Sequence, residues 1–286
     1  MLHVLLDPFA FSFMRRALVG CVALSLAGPP LGVILVLRRM SLMSDVLQHG
    51  ILPGLALGAL FGGLSFWAMG LGGLIAGLAV ALLAGVVARA TGGREDSQLA
   101  GAYLIALALG VALVSRQQGI DLTELLFGSV LGVTNAALEL IAGAASVVIL
   151  GVAVIWRPLV LDSFDPVFLR SIGGRGGLWH LVFLALVVTC VVAGYTALGT
   201  LMSVGLMMLP AIGARHFAVR LPGQVRAAVV VALLSSVLGL LLSYYTDMPS
   251  GPAIILTAGA FWLFGVLLGP QQSIRSRLVR KSHLTG

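Results

Sequence analysis

Leu37-Arg38-Arg39-Met40-Ser41-Leu42-Met43-Ser44-Asp45-Val46-Leu47-Gln48-His49-Gly50 is the stretch that decides how this chain folds. It joins two apolar runs, Ala17–Leu37 before it and Val46–Phe61 overlapping its end. A run of about 20 apolar residues is long enough to cross a bilayer. Asp45 and His49 stand four residues apart where such a run begins, so a helix puts both on one face. A carboxylate at the centre of a membrane helix costs about 2.5–3.5 kcal/mol on insertion scales. The pair therefore faces a partner, a cavity or a cation rather than lipid.

Working outward, the rest of the chain repeats the pattern. Its 286 residues are 59% hydrophobic and only 9% charged, where a soluble domain carries about a quarter. This composition excludes a water-facing surface, and the long apolar runs exclude the short alternating strands of a barrel. An all-α polytopic membrane protein follows, a single transmembrane domain over residues 1–286. Candidate spans are Ala17–Leu37, Val46–Phe61, Trp67–Ala90, Leu99–Val114, Ala136–Trp156, Leu178–Gly194, Leu198–Ala214, Arg226–Tyr244 and Ala253–Leu268. That makes about eight or nine membrane helices, depending on how the first one sits. Val19–Leu37 reads as a retained helix rather than a cleaved leader, being long enough to span.

The net charge of +7 lies at loops and ends, which reads as orientation by the positive-inside rule and not as nucleic-acid binding. Arg275, Arg277, Arg280 and Lys281 place the C-terminal tail, about 270–286, in the cytoplasm. Residues 116–124 and 246–252 then fall outside, with Asp121, Glu124 and Asp247. Counting nine spans back puts Arg15 and Arg16 outside as well, against the rule. Cys21 and Cys190 lie singly in apolar runs and read as small buried residues. Gly54 with Gly58, and Gly72-Gly73 with Gly77, have the spacing of close helix contacts in lipid.

Carboxylate plus imidazole suits Zn²⁺, Mn²⁺ or Fe²⁺ better than Mg²⁺ or Ca²⁺. The alternative is structural: Asp45 caps a helix and His49 bonds a carbonyl. Glu139 is placed to line a pathway or to snorkel. His216 reads as facing the headgroups, and His180 beside Trp179 as an interface anchor. No phosphate loop of the form Gly-x-x-x-x-Gly-Lys-Ser/Thr occurs, so energy must come from a partner chain or an ion gradient.

Residues 37–49 resemble the signature that follows the first span of metal-importing ABC permeases, the zinc/manganese/iron class. Further stretches agree in order: Ile120-Asp121-Leu122 with Leu126–Gly132, Phe164–Arg170, Gly199-Thr200-Leu201 running to Leu209-Pro210-Ala211, and Tyr244–Gly251. There are departures. Gln48 stands where the family more often has Ser, Gly50 where Ala is usual, and the glycine-rich Ser171–Gly177 where a helix would continue. The resemblance implies a non-enzymatic permease working as a homodimer in a prokaryotic plasma (inner) membrane. Two copies of a cytoplasmic ATP-binding subunit and an extracellular or periplasmic metal-binding protein would be its partners. No cofactor is held permanently, and the divalent ion is cargo. Asp45 and His49 would ligate it, with Glu139, Asp121 and Asp247 at the pathway or entrance. Phe164, Asp165, Pro166, Phe168 and Arg170, within a cytoplasmic loop of about 158–177, would couple to the ATPase. A permease for a metal chelate, a proton-coupled carrier and an intramembrane metalloenzyme are the other readings. The last needs a third ligand and a general base, for which Glu139 is the candidate.

Overall fold

A computed structural model describes residues 7–41, 43–63, 65–91, 95–115, 132–171, 173–174 and 176–275. Every regular element among them is helical. After a short 3₁₀ turn at Asp7–Ala10 come α1 (Ser12–Leu37), α2 (Met43–Gly50), α3 (Leu52–Gly62), α4 (Phe66–Thr91) and α5 (Glu95–Val114). Then follow α6 (Asn135–Phe164), α7 (Pro166–Ser171), α8 (Gly176–Leu198), α9 (Thr200–Ala214), α10 (Leu221–Thr246) and α11 (Ser250–Leu268). Large apolar side chains stand exposed along them, Ile75, Ile105, Leu150, Val154 and Leu256 among others. Only lipid makes such a surface stable.

Among the described residues six helices, α1, α4, α6, α8, α10 and α11, are long and apolar enough to cross a membrane. The other expected spans differ for local reasons. Val46–Phe61 is broken into α2 and α3 around Ile51, because Pro53 has no N–H to offer the His49 carbonyl four residues back. The ladder holds on either side, Ile51 N donating to the Leu47 carbonyl and Leu55 N to that of Ile51. Leu198–Ala214 shortens to the 15 residues of α9, about 22 Å at 1.5 Å per residue. It starts only after Gly199 turns the chain at φ 93°.

α1 and α8 form the centre. α1 packs on α6, α8, α9 and α10, and α8 on α1, α2, α4, α6 and α9. α3, α4 and α5 flank one side, α9, α10 and α11 the other. The glycine spacing serves as expected: a Cβ on Gly54 would run into the Gly72 backbone, and one on Gly58 into that of Ala68. α3 and α4 thus approach at backbone distance. Cys21 and Cys190 are buried and unpaired.

The two ends of the bundle are distinct. Phe11, just before α1, lies 6.2 Å from the Tyr244 ring near the end of α10. Arg38, just after α1, meets Asp162 near the end of α6. Arg15 and Arg16 therefore share an end with Asp247, opposite the α6–α7 connection.

Candidate functional site

α2 carries the pair at depth. Gly77 of α4 is where Ile51 and Val188 converge, both within 2.8 Å of the position a Cβ would take. Val188 is near the middle of α8, so His49, two residues before Ile51, lies near mid-depth. Asp45 sits in the first turn of α2, where the helix dipole favours a carboxylate.

His49 Nε2 and Asp45 Oδ1 are 3.9 Å apart, with the side chains 32% and 57% exposed. That is too long for a hydrogen bond. Two donors to one tetrahedral cation at about 2.0–2.2 Å stand about 3.3–3.6 Å apart, so a shared ion would draw this pair together by a few tenths of an ångström. Asp45 stands inside α2, which begins at Met43, and its Oδ1 accepts from Gln48 Nε2 at 2.9 Å. Tyr103 of α5 stands beside the imidazole, ring centroids 6.4 Å apart. Among the described residues no third His, Cys, Asp or Glu completes a cluster. The described residues therefore bring two candidate donors together here, fewer than a closed structural metal site has. Toward Arg39 a cavity of about 190 Å³ opens between Met40, Ser41, Met43, Val46, Leu99 and Ala100.

The remaining expected pathway residues lie elsewhere. Glu139 is exposed in the second turn of α6, beside Leu138 and Leu140, which pack toward Gly20 and Gly70 at the Phe11 end. Asp247 is exposed, in the left-handed conformation that ends α10. Asp121 and Glu124 lie outside the described residues, as do residues 126–131 of the stretch Leu126–Gly132. The structure does not bring Glu139 or Asp247 to the α2 pair.

At the other end, the 158–177 loop is shorter than the sequence implies. α6 continues through Arg157 and Pro158 to Phe164, because the polar residues beyond Trp156 find partners. Arg38 Nη2 pairs with Asp162 Oδ2 at 2.8 Å and Arg38 Nε donates 2.9 Å to Ser163 Oγ. Arg38 Nη2 also reaches the Leu159 carbonyl, and Nη1 lies 3.0 Å from His180 Nδ1. The guanidinium lies over the Phe183 ring, 5.2 Å from its centroid. His180 is thus a partner of Arg38.

α7 begins as its sequence dictates. Asp165 Oδ1 accepts from Phe168 N at 2.8 Å, and Pro166 occupies the first helical position. It ends where glycines permit: Gly173 takes φ 77° and Gly174 N donates to the Leu169 carbonyl at 2.8 Å, a Schellman closure. Leu169 is buried and anchors α7, whereas Phe164, Val167 and Phe168 are exposed. These exposed apolar side chains, Phe164 at the end of α6 and Val167 and Phe168 on α7, lie together along the chain at this end of the bundle.

Sequence reasoning took Gln48 only as a departure from the family pattern and overlooked Tyr103 and the Arg38–Asp162 pair. Only Arg38 and Asp162 carried a signal, as opposite charges flanking apolar runs.

The apolar helical bundle encloses a carboxylate–imidazole pair on a short helix, and the chain belongs to the ABC 3 transport family, whose sequence profile matches residues 10–269. Its relatives include the manganese import system permease protein ScaB of Streptococcus parasanguinis, 30% identical over 263 residues that cover 92% of each chain. The manganese transport system membrane protein MntC of Halalkalibacterium halodurans is 29% identical, over 95% of this chain and 92% of that one. Among solved structures, a chain of PsaBC from Streptococcus pneumoniae in complex with Fab superposes with a TM-score of 0.83. It is 26% identical and covers 99% of this chain and 100% of its own.

Proposed function

We propose that this chain is the membrane permease of an ATP-driven importer for a divalent transition metal, with Mn²⁺ the first candidate. The reading is carried by the open Asp45–His49 pair near mid-depth, 3.9 Å apart, in a chain whose relatives are named for manganese import. Hard carboxylate oxygen and imidazole nitrogen hold Mn²⁺, Fe²⁺ and Zn²⁺ alike, so donor type does not choose among them.

Two ligands per chain make a second copy necessary for selectivity. A homodimer with two-fold symmetry would set two Asp45 and two His49 around one axis. Such a site holds an ion long enough to select it and weakly enough to release it. The end bearing α7 faces the cytoplasm, together with the basic tail. There, Phe164, Val167 and Phe168 dock into a groove of an ATP-binding subunit, one for each permease copy. The opposite end, with Asp247, Asp121 and Glu124, receives the ion from an extracellular or periplasmic metal-binding protein. The chain crosses the prokaryotic plasma membrane about nine times, with α2 and α3 together making one crossing and α9 a short one.

The experiment is uptake of Mn²⁺, Zn²⁺ and Fe²⁺ into vesicles holding this chain with its ATPase and binding protein. Asp45→Ala and His49→Ala each cut ATP-dependent uptake of one ion at least about ten-fold while assembling normally. Wild-type uptake by both variants overturns the ligand assignment.

A further inference from the structure

Behind the exposed pair, α2 has a second polar face. Gln48 is only 7% exposed, and Ser44, one turn earlier, is fully buried. The Gln48 amide can be oriented by chemistry alone: an ionised carboxylate only accepts, so the NH₂ end must face Asp45. The other end, Oε1, is buried without a hydrogen-bond partner among the described residues, as is Ser44 Oγ. A buried amide ordinarily satisfies both ends. Here the donor end is spent on a carboxylate that is itself mostly exposed, while the acceptor end goes unmet. The contact the fold secures is the one to Asp45.

That contact changes what Asp45 can do. An exposed carboxylate turns freely about its side-chain torsions, and ordering it on binding costs entropy. The Gln48 arm comes from a packed position, flanked on α2 by the buried Leu47 and Gly50. It pins Oδ1 at 2.9 Å, and the same atom stands 3.9 Å from His49 Nε2. The pair therefore already stands within a few tenths of an ångström of the separation, about 3.3–3.6 Å, that two donors to one tetrahedral cation take.

We propose that Gln48 is the positioning residue of this pair, a buried amide arm that holds the Asp45 carboxylate in its ion-receiving orientation before the ion arrives. The proposal rests on the ligand reading above. Partners that orient a metal-binding side chain are commonly worth about 10–100-fold in affinity. Loss of the arm therefore raises the ion concentration needed for half-maximal uptake and leaves the saturated rate nearly unchanged.

The test measures Mn²⁺ uptake against Mn²⁺ concentration in vesicles with the complete transporter, for wild type, Gln48→Met, Gln48→Asn and Ser44→Ala. Gln48→Met fills the same space without an N–H donor. Gln48→Asn keeps the amide but is one methylene too short to reach. Both raise KM about ten-fold or more with little change in the maximal rate, and Ser44→Ala, on the same buried face, leaves KM alone. If Gln48→Met does not assemble, Gln48→Asn decides. Unchanged KM in whichever variants assemble, or a fall in maximal rate with KM unchanged, overturns the proposal. Asp45→Ala and His49→Ala run alongside: if they transport normally, the ligand reading itself falls, and if they fail while the Gln48 variants keep wild-type KM, only the arm falls.

Discussion

Arg38 and Asp45 are seven residues apart in sequence, and the molecule treats their charges in opposite ways. Arg38 is saturated: a carboxylate, a hydroxyl, a carbonyl, an imidazole and an aromatic face surround its guanidinium. Its side chain and that of Asp162 are 10% and 13% exposed. Asp45 is 57% exposed and His49 32%, with a gap between them that no hydrogen bond closes. A charge that holds helices together has its whole coordination filled by protein. Asp45, by contrast, keeps open space beside it and is steadied by Gln48 Nε2; on the proposed reading that space is for cargo.

The comparison breaks first, if it breaks, at Arg38. Arg38→Met leaves Asp162 buried without its countercharge, a change that typically costs about 3–5 kcal/mol. Thermal unfolding of the purified permease should fall sharply, and α1, α6 and α8 lose their common tie. Asp45→Ala should cost less, about 1 kcal/mol, since the side chain is largely exposed and its loss unpairs only the Gln48 amide N–H. Equal losses in the two variants would mean that Asp45 is a structural charge after all.

The ridge on α7 sharpens the contrast at the same end of the bundle. Phe164→Ser and Phe168→Ser should leave unfolding unchanged, because both rings are exposed. In the complete transporter each should loosen the hold on the ATP-binding subunit by about 1–2 kcal/mol, read as a rise of about ten-fold in the dissociation constant. Tight binding by the double variant would remove the ridge from the coupling surface.

The smallest effect is expected at Ser25, whose Oγ lies 3.0 Å from Ser236 Oγ between α1 and α10. Ser25→Ala should cost only about 0.6 kcal/mol, in line with interhelical hydrogen bonds in lipid. Because Ser236 also donates to the Ala232 carbonyl, it keeps a partner. A larger loss would show that polar ties far from Arg38 also carry the bundle.

Much of this was legible in the chain because it depends on spacing. Asp45 and His49 must share a helix face at i and i+4, and Asp165-Pro166 must open a helix. The glycines at residues 54, 58 and 72 allow close backbones wherever their helices meet. The end of α6 was misread at Trp156, since Arg157, Pro158 and Asp162 look like a loop until Arg38 is set beside them. Nothing local joins Arg38 to residues 124 and 142 positions away. Gln48 was noted only as a departure from a family pattern. That its amide turns inward and back to Asp45 follows from which side of α2 is covered by α4, α5 and α8.

The sequence by itself determined that the chain lives in a membrane, that its helices bear a carboxylate–imidazole pair, and that it holds no phosphate loop of its own. Composition, helical period and motif are properties of neighbours along the chain, so they survive without coordinates. Only the tertiary structure decided which polar groups are spent and which are left open. That depends on burial and on partners brought from distant helices, and the same Arg, Asp or Gln is structural or functional according to what packing sets against it.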